Sequence, residues 1–473
     1  MNGFIKRLLG FSIGPVGGAV IAFVTIPLTT HFVSPDEYGK AGMFTVFQTL
    51  MVTLLYLGVD QAYTREYNDA KDRQALFKNA LLLPLALSVI LLFSISLSSG
   101  WISYLLFGKN SYHFAAILLG VMLVFMIMER FILLSIRMDE RAFEYSVFNI
   151  LIKLVILLAT LLFVLLIRRD FLAVVYSAAI GQIAGDAYLI FRYRRLLVYK
   201  NFHLDSILIR QLLEFGIPLV IAASVASVLN SAGRLALRTW STFYEIGIFT
   251  ATVKISAALS VVQTSFTNFW VPTAYRWYSE HKDIFYYKVV SDSVLLFMST
   301  LFFLILIFKN LIVWLLSPGY SDAIYILGFL CLQPVMYTIS ETTTLGIVFS
   351  KKSYLNIWVS LISLLPCLVL NAVLIPRYGA AGAACATGVS YVFFFWGRSH
   401  FSNKNWTGFP LGIHFAVILI MFAGALVNAF PLKYILLLNL GMMILVLVSQ
   451  AGTIRRIKIV AFARKNTRKF SKN

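Results

Sequence analysis

Long apolar runs separated by short polar connections occupy the chain from residue 8 to residue 450. A helix crossing the hydrocarbon of a bilayer needs about 20 mostly apolar residues. The pattern predicts fourteen such helices. Seven lie at 8–30, 41–59, 80–98, 114–136, 145–167, 171–191 and 215–232. The others lie at 246–266, 289–308, 323–349, 355–375, 379–396, 411–430 and 434–450. The seventh and twelfth are short or rich in Ser, Ala and Gly. Lys6 and Arg7 precede the first run as they would in a signal peptide, but that run is too long for an h-region of about 7–15 residues, so it reads as the first membrane helix. The expected fold class is an all-α integral membrane protein with about 14 transmembrane helices.

Composition agrees. Sixty per cent of the residues are hydrophobic, only 13% are charged, and mean hydropathy is +0.84. Soluble domains carry about 25% charged residues, so this chain cannot build a water-solvated surface. Aromatic residues, 15% of the total, gather near segment ends, where interfacial anchoring places them.

The net charge of +20 would point to nucleic acid in a soluble protein, but here Lys and Arg sit in short loops and set topology. With the N-terminus inside and the helices alternating, inside segments hold 28 of the 40 basic residues and outside segments nine. Arg130, Lys153 and Lys254 fall within helices. Such asymmetry predicts fourteen helices with two cytoplasmic termini. No loop exceeds about two dozen residues, too few for a catalytic or nucleotide-binding domain. The Walker A, H-E-x-x-H and G-x-S-x-G patterns are absent. Cys331, Cys367 and Cys385 lie in apolar runs without metal or redox spacing. The expectation is a transporter, not an enzyme, with no cofactor and no metal.

Phe11-Ser-Ile-Gly-Pro leads to Glu37-Tyr38-Gly39, and Phe215-Gly-Ile-Pro leads to Glu245-Ile246-Gly247. This echo predicts a duplication of six helices: one lobe at 1–210, a second at 211–399, and two peripheral helices with a basic tail at 400–473. An even offset gives both lobes the same orientation, related by an axis along the membrane normal, with a substrate path between them.

Ionisable groups in hydrocarbon cost several kcal/mol unless they face a cavity or a partner, so each is a candidate. Ser224, Ser227, Ser231, Arg234 and Arg238 recur at helical spacing along one face. That stripe either lines a polar cavity or ends in two surface arginines beyond a short helix. Ser146, Asn149, Lys153 and Thr160 share a face of the fifth helix. Glu129 and Arg130 lie on the fourth and Asp186 on the sixth, forming either a charged chamber or a neutralised cluster of Arg130 with Glu129 or Asp186. In the second half, Lys254 sits mid-helix beside Thr250, and Glu341 belongs to a hydroxyl-rich face. Cations in a low-dielectric cavity select an anion. Arg65 and the cluster 192–195 are placed to attract one at the inner leaflet. The proposed anion-binding set is Arg65, Arg130, Lys153, Arg234, Arg238 and Lys254, with Glu129, Asp186 and Glu341 as coupling or charge partners.

Five stretches carry a resemblance: Gly58-Val59-Asp60-Gln61-Ala62 with Arg65; Phe215-Gly216-Ile217-Pro218; Leu229-Asn230-Ser231-Ala232-Gly233-Arg234; Gly247-Ile248-Phe249 through Lys254-Ile255; and 374–384 around Pro376-Arg377-Tyr378-Gly379. In their order and spacing the chain resembles the Wzx-type polysaccharide flippases of the superfamily that includes MATE exporters and the lipid II flippase. It departs at Gly233, where the family commonly has Asp before the arginine. The resemblance implies export of an undecaprenyl-pyrophosphate-linked oligosaccharide, an O-antigen or capsule repeat unit, by alternating access. It also implies a polysaccharide polymerase and a chain-length regulator as partners. A MATE-like drug exporter is the nearest alternative, though it would favour acidic cavity residues. A membrane polymerase would need larger periplasmic loops.

Overall fold

The computed structural model describes residues 2–198, 204–352, 354–453 and 455, without the side chains of 2–12 and 15. Lys200, the side chains of Lys6 and Arg7, and the basic tail after Thr453 apart from Arg455 lie outside the described residues. Among the described residues there are helices and connections but no strands. Hydrocarbon imposes this, because each backbone N–H and C=O must be satisfied within its own segment unless a barrel closes.

The first helices are α1 (Asn2–Thr30), α2 (Pro35–Leu55), α3 (Val59–Glu66), α4 (Arg73–Leu97), α5 (Ser99–Phe107), α6 (His113–Met138), α7 (Ala142–Leu162), α8 (Phe171–Arg192) and α9 (Arg194–Leu197). There follow α10 (Ser206–Trp240), α11 (Phe243–Ser256), α12 (Ala258–Ser279), α13 (Ile284–Ile307), α14 (Lys309–Trp314), α15 (Ala323–Thr343), α16 (Leu345–Phe349), α17 (Leu355–Asn405), α18 (Gly412–Asn428) and α19 (Ile435–Ser449). Nine helical spans among the described residues are long and apolar enough to cross a membrane, or ten with the pair α2 and α3, which is bent by 48°. Three shorter apolar stretches are Val16–Thr30, Gly412–Asn428 and Ile435–Ser449. The 51-residue α17 breaks at Gly379 (φ 51°, ψ −128°), just after Pro376. Twelve of the fourteen expected segments fall mainly on one helix or one arm of α17, while 246–266 runs across α11 and α12 and 323–349 across α15 and α16.

Several boundaries differ from expectation, and two of them bear on candidate residues. The second helix begins at Pro35, with Ser34 at its N-cap and Asp36 and Glu37 in its first turn, a combination that favours helix initiation. It ends before Leu57 and Gly58, both at positive φ, which turn the chain into α3. The seventh is α10, 35 residues long, started by Asp205, whose carboxylate accepts from the N–H groups of Ile207 and Leu208 at 3.0 Å each. Arg234 and Arg238 are therefore inside a helix, not beyond one.

Contacts divide the chain into two units, Met1–Ala251 and Thr252–Asn473. In the first, α1 packs on α7, α7 on α8, α6 on α4 and α8, and α2 on α10. Phe143, Val147, Leu154, Leu158 and Leu162 form an exposed apolar stripe on α7, the face suited to lipid. Ser146, Asn149, Lys153 and Thr160 lie on a different side of that helix.

Backbone meets backbone at both ends of α2. A Cβ on Gly39 would stand 2.0 Å from the Phe243 carbonyl oxygen, and one on Gly247 1.9 Å from that of Pro35. Beyond the other end, a Cβ on Gly58 would stand 2.2 Å from the Gly216 oxygen, and one on Gly216 2.5 Å from that of Leu57. Only glycine permits these crossings.

In the second unit α15 packs against α17 and α13, and α18 and α19 pack on α13 and α15 or on each other. Polar groups join the last pair. Asn428 Nδ2 donates to Asn439 Oδ1 at 2.7 Å, Asn439 returns the bond at 3.2 Å, and Gln450 Nε2 reaches Ser299 Oγ at 3.2 Å. Such interhelical bonds hold helices together where lipid removes the hydrophobic drive.

Candidate functional site

Hydroxyl side chains in these helices usually bond back to a carbonyl one turn earlier, as Thr45, Thr49 and Thr53 do. The stripe on α10 behaves differently. The hydroxyls of Ser224, Ser227 and Ser231 and the Nε of Arg234 are buried without a hydrogen-bond partner, as is Thr250 Oγ1 on α11. Arg234 makes no ion pair with any described residue. An unsatisfied buried polar group costs about 1–3 kcal/mol. Four lie in register on one helical face, where a bound molecule or ordered water would satisfy them. Gly233 has a steric cause here, because its Cβ would lie 2.8 Å from the Phe249 ring. An aspartate does not fit without moving that ring, and Arg234 has no acidic neighbour in sequence.

The other cations of the first unit are differently placed. Arg130 donates from Nη2 and Nε to Asp60 Oδ2 at 2.7 and 3.2 Å and lies 5.4 Å from the Tyr56 ring centroid. Its partner is thus neither Glu129 nor Asp186 but a buried carboxylate on α3, inside the motif that begins at Gly58. Glu129 and Asp186 meet instead through Gln182, whose Nε2 lies 3.0 Å from Glu129 Oε2 and 2.9 Å from Asp186 Oδ1. Lys153 is exposed on α7 and forms no ion pair among the described residues. Arg238 is committed to main chain: its Nε and Nη2 donate to the carbonyls of Leu105 and Tyr104 at 3.0 Å each, at the C-terminal end of α5, where a cation complements the helix dipole. Arg65 is exposed, 3.4 Å from Glu66 and 4.5 Å from the Phe215 ring centroid.

In the second unit Lys254 is half-buried on α11. Glu341 is buried and accepts from Arg398 Nη1 at 2.6 Å; Arg398 also reaches Ser340 Oγ at 3.1 Å and lies 4.7 Å from the ring centroids of both Tyr337 and Phe394. Sequence reasoning missed Arg398 because it follows the twelfth apolar run by two residues and reads as a loop cation. Register held a clue. Glu341 follows Glu129 by 212 positions (341 less 129), and Arg398 follows Asp186 by the same 212 (398 less 186). Where the first unit sets two carboxylates around an amide, the second sets a carboxylate on a guanidinium. No group of three His, Cys, Asp or Glu among the described residues is arranged to hold a metal.

The helices define a multi-pass membrane protein, and solved structures give the fold. The chain is similar to "Lipid II flippase MurJ, inward closed conformation" (TM-score 0.72, 14% identity, covering 95% of this chain and 99% of that one). It is also similar to an inward-facing multidrug resistance MATE family transporter of the MOP superfamily (TM-score 0.63, 16% identity, 81% and 95%). A MOP superfamily transporter from Pyrococcus furiosus shares the fold (TM-score 0.52, 14% identity, 84% and 96%). No curated protein sequence matches. A family profile described as "Polysaccharide biosynthesis protein" matches residues 9–278, more than half of the chain. The chain belongs to that family.

Proposed function

We propose that this protein is a flippase that moves an undecaprenyl-pyrophosphate-linked oligosaccharide, an O-antigen or capsule repeat unit, from the cytoplasmic to the periplasmic leaflet of a bacterial inner membrane. Membership of the polysaccharide biosynthesis family supports the substrate class. The observation that carries the reading is the unpaired Arg234 at the end of three unpaired serine hydroxyls. A guanidinium with no internal anion matches a pyrophosphate, with which it forms charge-assisted, bidentate bonds. Hydroxyls with no internal partner match a sugar.

In this proposal Lys153 and Lys254 supply further positive charge to the head group, Arg130 contacts it from its pair with Asp60, Arg65 attracts it at the inner leaflet, and Arg238 holds the outer end of α10 in place. Glu129, Asp186 and Glu341 are the charge partners of the cycle. Both termini are cytoplasmic, the segments 1–210 and 211–399 are the duplicated lobes with 400–473 appended, and a polymerase and a chain-length regulator act on the product.

Removing the protein should leave lipid-linked oligosaccharide on the inner leaflet, inaccessible to a periplasmic ligase. Arg234→Ala should abolish surface polysaccharide at normal membrane abundance, and Arg234→Lys should retain some of it. Normal surface polysaccharide in Arg234→Ala would overturn the assignment. The acidic pair Glu129 and Asp186 favours a second reading, a MATE-like exporter of organic cations. On that reading the deletion strain becomes drug-sensitive while its polysaccharide is unchanged.

A further inference from the structure

Positive charge is not evenly spread along this chain. Glu341 is its last acidic residue: positions 342–473 contain no Asp and no Glu but fourteen Lys and Arg. The field around the described residues of that segment is balanced by carboxylate only where Arg398 meets Glu341. A cavity of about 560 Å³ opens in this setting, between the far end of α17 and the start of α18. One wall is a single face of α17, with Trp396, His400, Asn403 and Lys404 at helical spacing, and the other is Leu411 and Phe415. The remaining hydroxyl of the lining, Ser399, is already joined to Thr343 at 2.7 Å.

We propose that this cavity binds the phosphate head group of an anionic lipid. Three features point to that chemistry. Its polar wall offers an ammonium, an imidazole and an amide, and no carboxylate. The imidazole is held in plane against Trp396, with ring centroids 5.4 Å apart and planes 23° apart. Leu411, which lines the cavity, is the N-cap of the 17-residue α18 and provides no side-chain cap, so the positive end of that helix lies beside the cavity without a capping side chain. Trp396, Leu411 and Phe415 supply the apolar side along which lipid chains lie. Basic pockets between membrane helices at the cytoplasmic interface bind lipid head groups in this way, and the proposed topology, with both termini cytoplasmic, puts 397–410 at that interface. The inference does not depend on what the protein transports.

The anion has two sources, a bilayer phospholipid or the polyprenyl phosphate of a carrier lipid, and the experiment separates them. Purified full-length protein is titrated with phosphatidylglycerol, with phosphatidylcholine of the same chains, and with undecaprenyl phosphate, and bound lipid is counted by native mass spectrometry. The same titrations follow for the double variant His400→Gln, Lys404→Gln and for the control Lys433→Gln. Both altered positions are exposed, and helical content by circular dichroism checks the fold. Phosphatidylglycerol retained over phosphatidylcholine, with affinity falling about fivefold or more in the double variant and unchanged in the control, supports a phospholipid site. Displacement of phosphatidylglycerol by undecaprenyl phosphate, with the same loss in the double variant, supports the carrier as occupant. No preference for either anionic lipid, or equal binding by wild type and double variant, overturns the proposal.

Discussion

Arg234 and Arg398 are both arginines in membrane helices, yet replacing each with Met should move stability in opposite directions. Arg234 Nε is buried without an acceptor and no carboxylate answers the charge, so the folded state carries a penalty of about 1–3 kcal/mol that a similarly long apolar side chain removes. Arg234→Met should therefore raise the unfolding free energy by about 1–3 kcal/mol while abolishing transport. Arg398→Met has the reverse effect. It leaves Glu341, only 7% exposed, as an uncompensated carboxylate, at a cost of about 3–5 kcal/mol. Unfolding in mild detergent, followed by tryptophan fluorescence, gives both values. Trp270 reports directly on the second, since its indole N–H donates to the Glu341 carbonyl at 3.2 Å. If Arg234→Met destabilises by more than 1 kcal/mol, that arginine holds the fold together and the ligand-site argument fails. If Arg398→Met is neutral, its pair with Glu341 is not what the geometry indicates.

Gly247→Ala should cost about 1–3 kcal/mol, because the new methyl would lie 1.9 Å from the Pro35 oxygen; unchanged unfolding would refute the close crossing. Asn428→Leu alone should destabilise, leaving Asn439 short of a partner, whereas Asn428→Leu with Asn439→Leu should recover most of the loss; equal losses in the single and double variants would contradict the pairing. A double-mutant cycle on Asp60→Asn and Arg130→Gln should give a coupling of about 1 kcal/mol, kept modest by the 40% exposure of the arginine; additive effects would dissolve the pair. A reporter fused after Lys472 should be active only in the cytoplasm, and periplasmic activity would invalidate the even number of crossings.

Most of the fold was legible because hydrocarbon leaves the chain few choices: apolar length fixed the spans, and helical period alone placed Ser224, Ser227, Ser231 and Arg234 on one face. Boundaries were less legible where caps, not hydropathy, decide them. Ser34-Pro35-Asp36-Glu37 is a helix start written in polar residues, and a search for apolar runs passes over it. The pairing of charges was the least legible. Asp60 and Arg130 are 70 residues apart, and only the turn at Leu57 and Gly58 aims α3 so that its carboxylate meets the guanidinium. Adjacent Glu129 suggested a local partner, but consecutive residues on a helix point about 100° apart, so Glu129 and Arg130 answer to different neighbours.

The glycine crossings at the two ends of α2 make that helix a lever. From Gly39 to Leu55 it rises about 24 Å at 1.5 Å per residue. No side chain cushions either crossing: backbone touches backbone, so a contact is held or lost with little between. A tilt of about 10° about one crossing swings the other end of a shaft this long by about 4 Å, enough to pull the touching backbones apart. Both crossings are closed in this structure, so a tilt of the helix about either one would have to open the other.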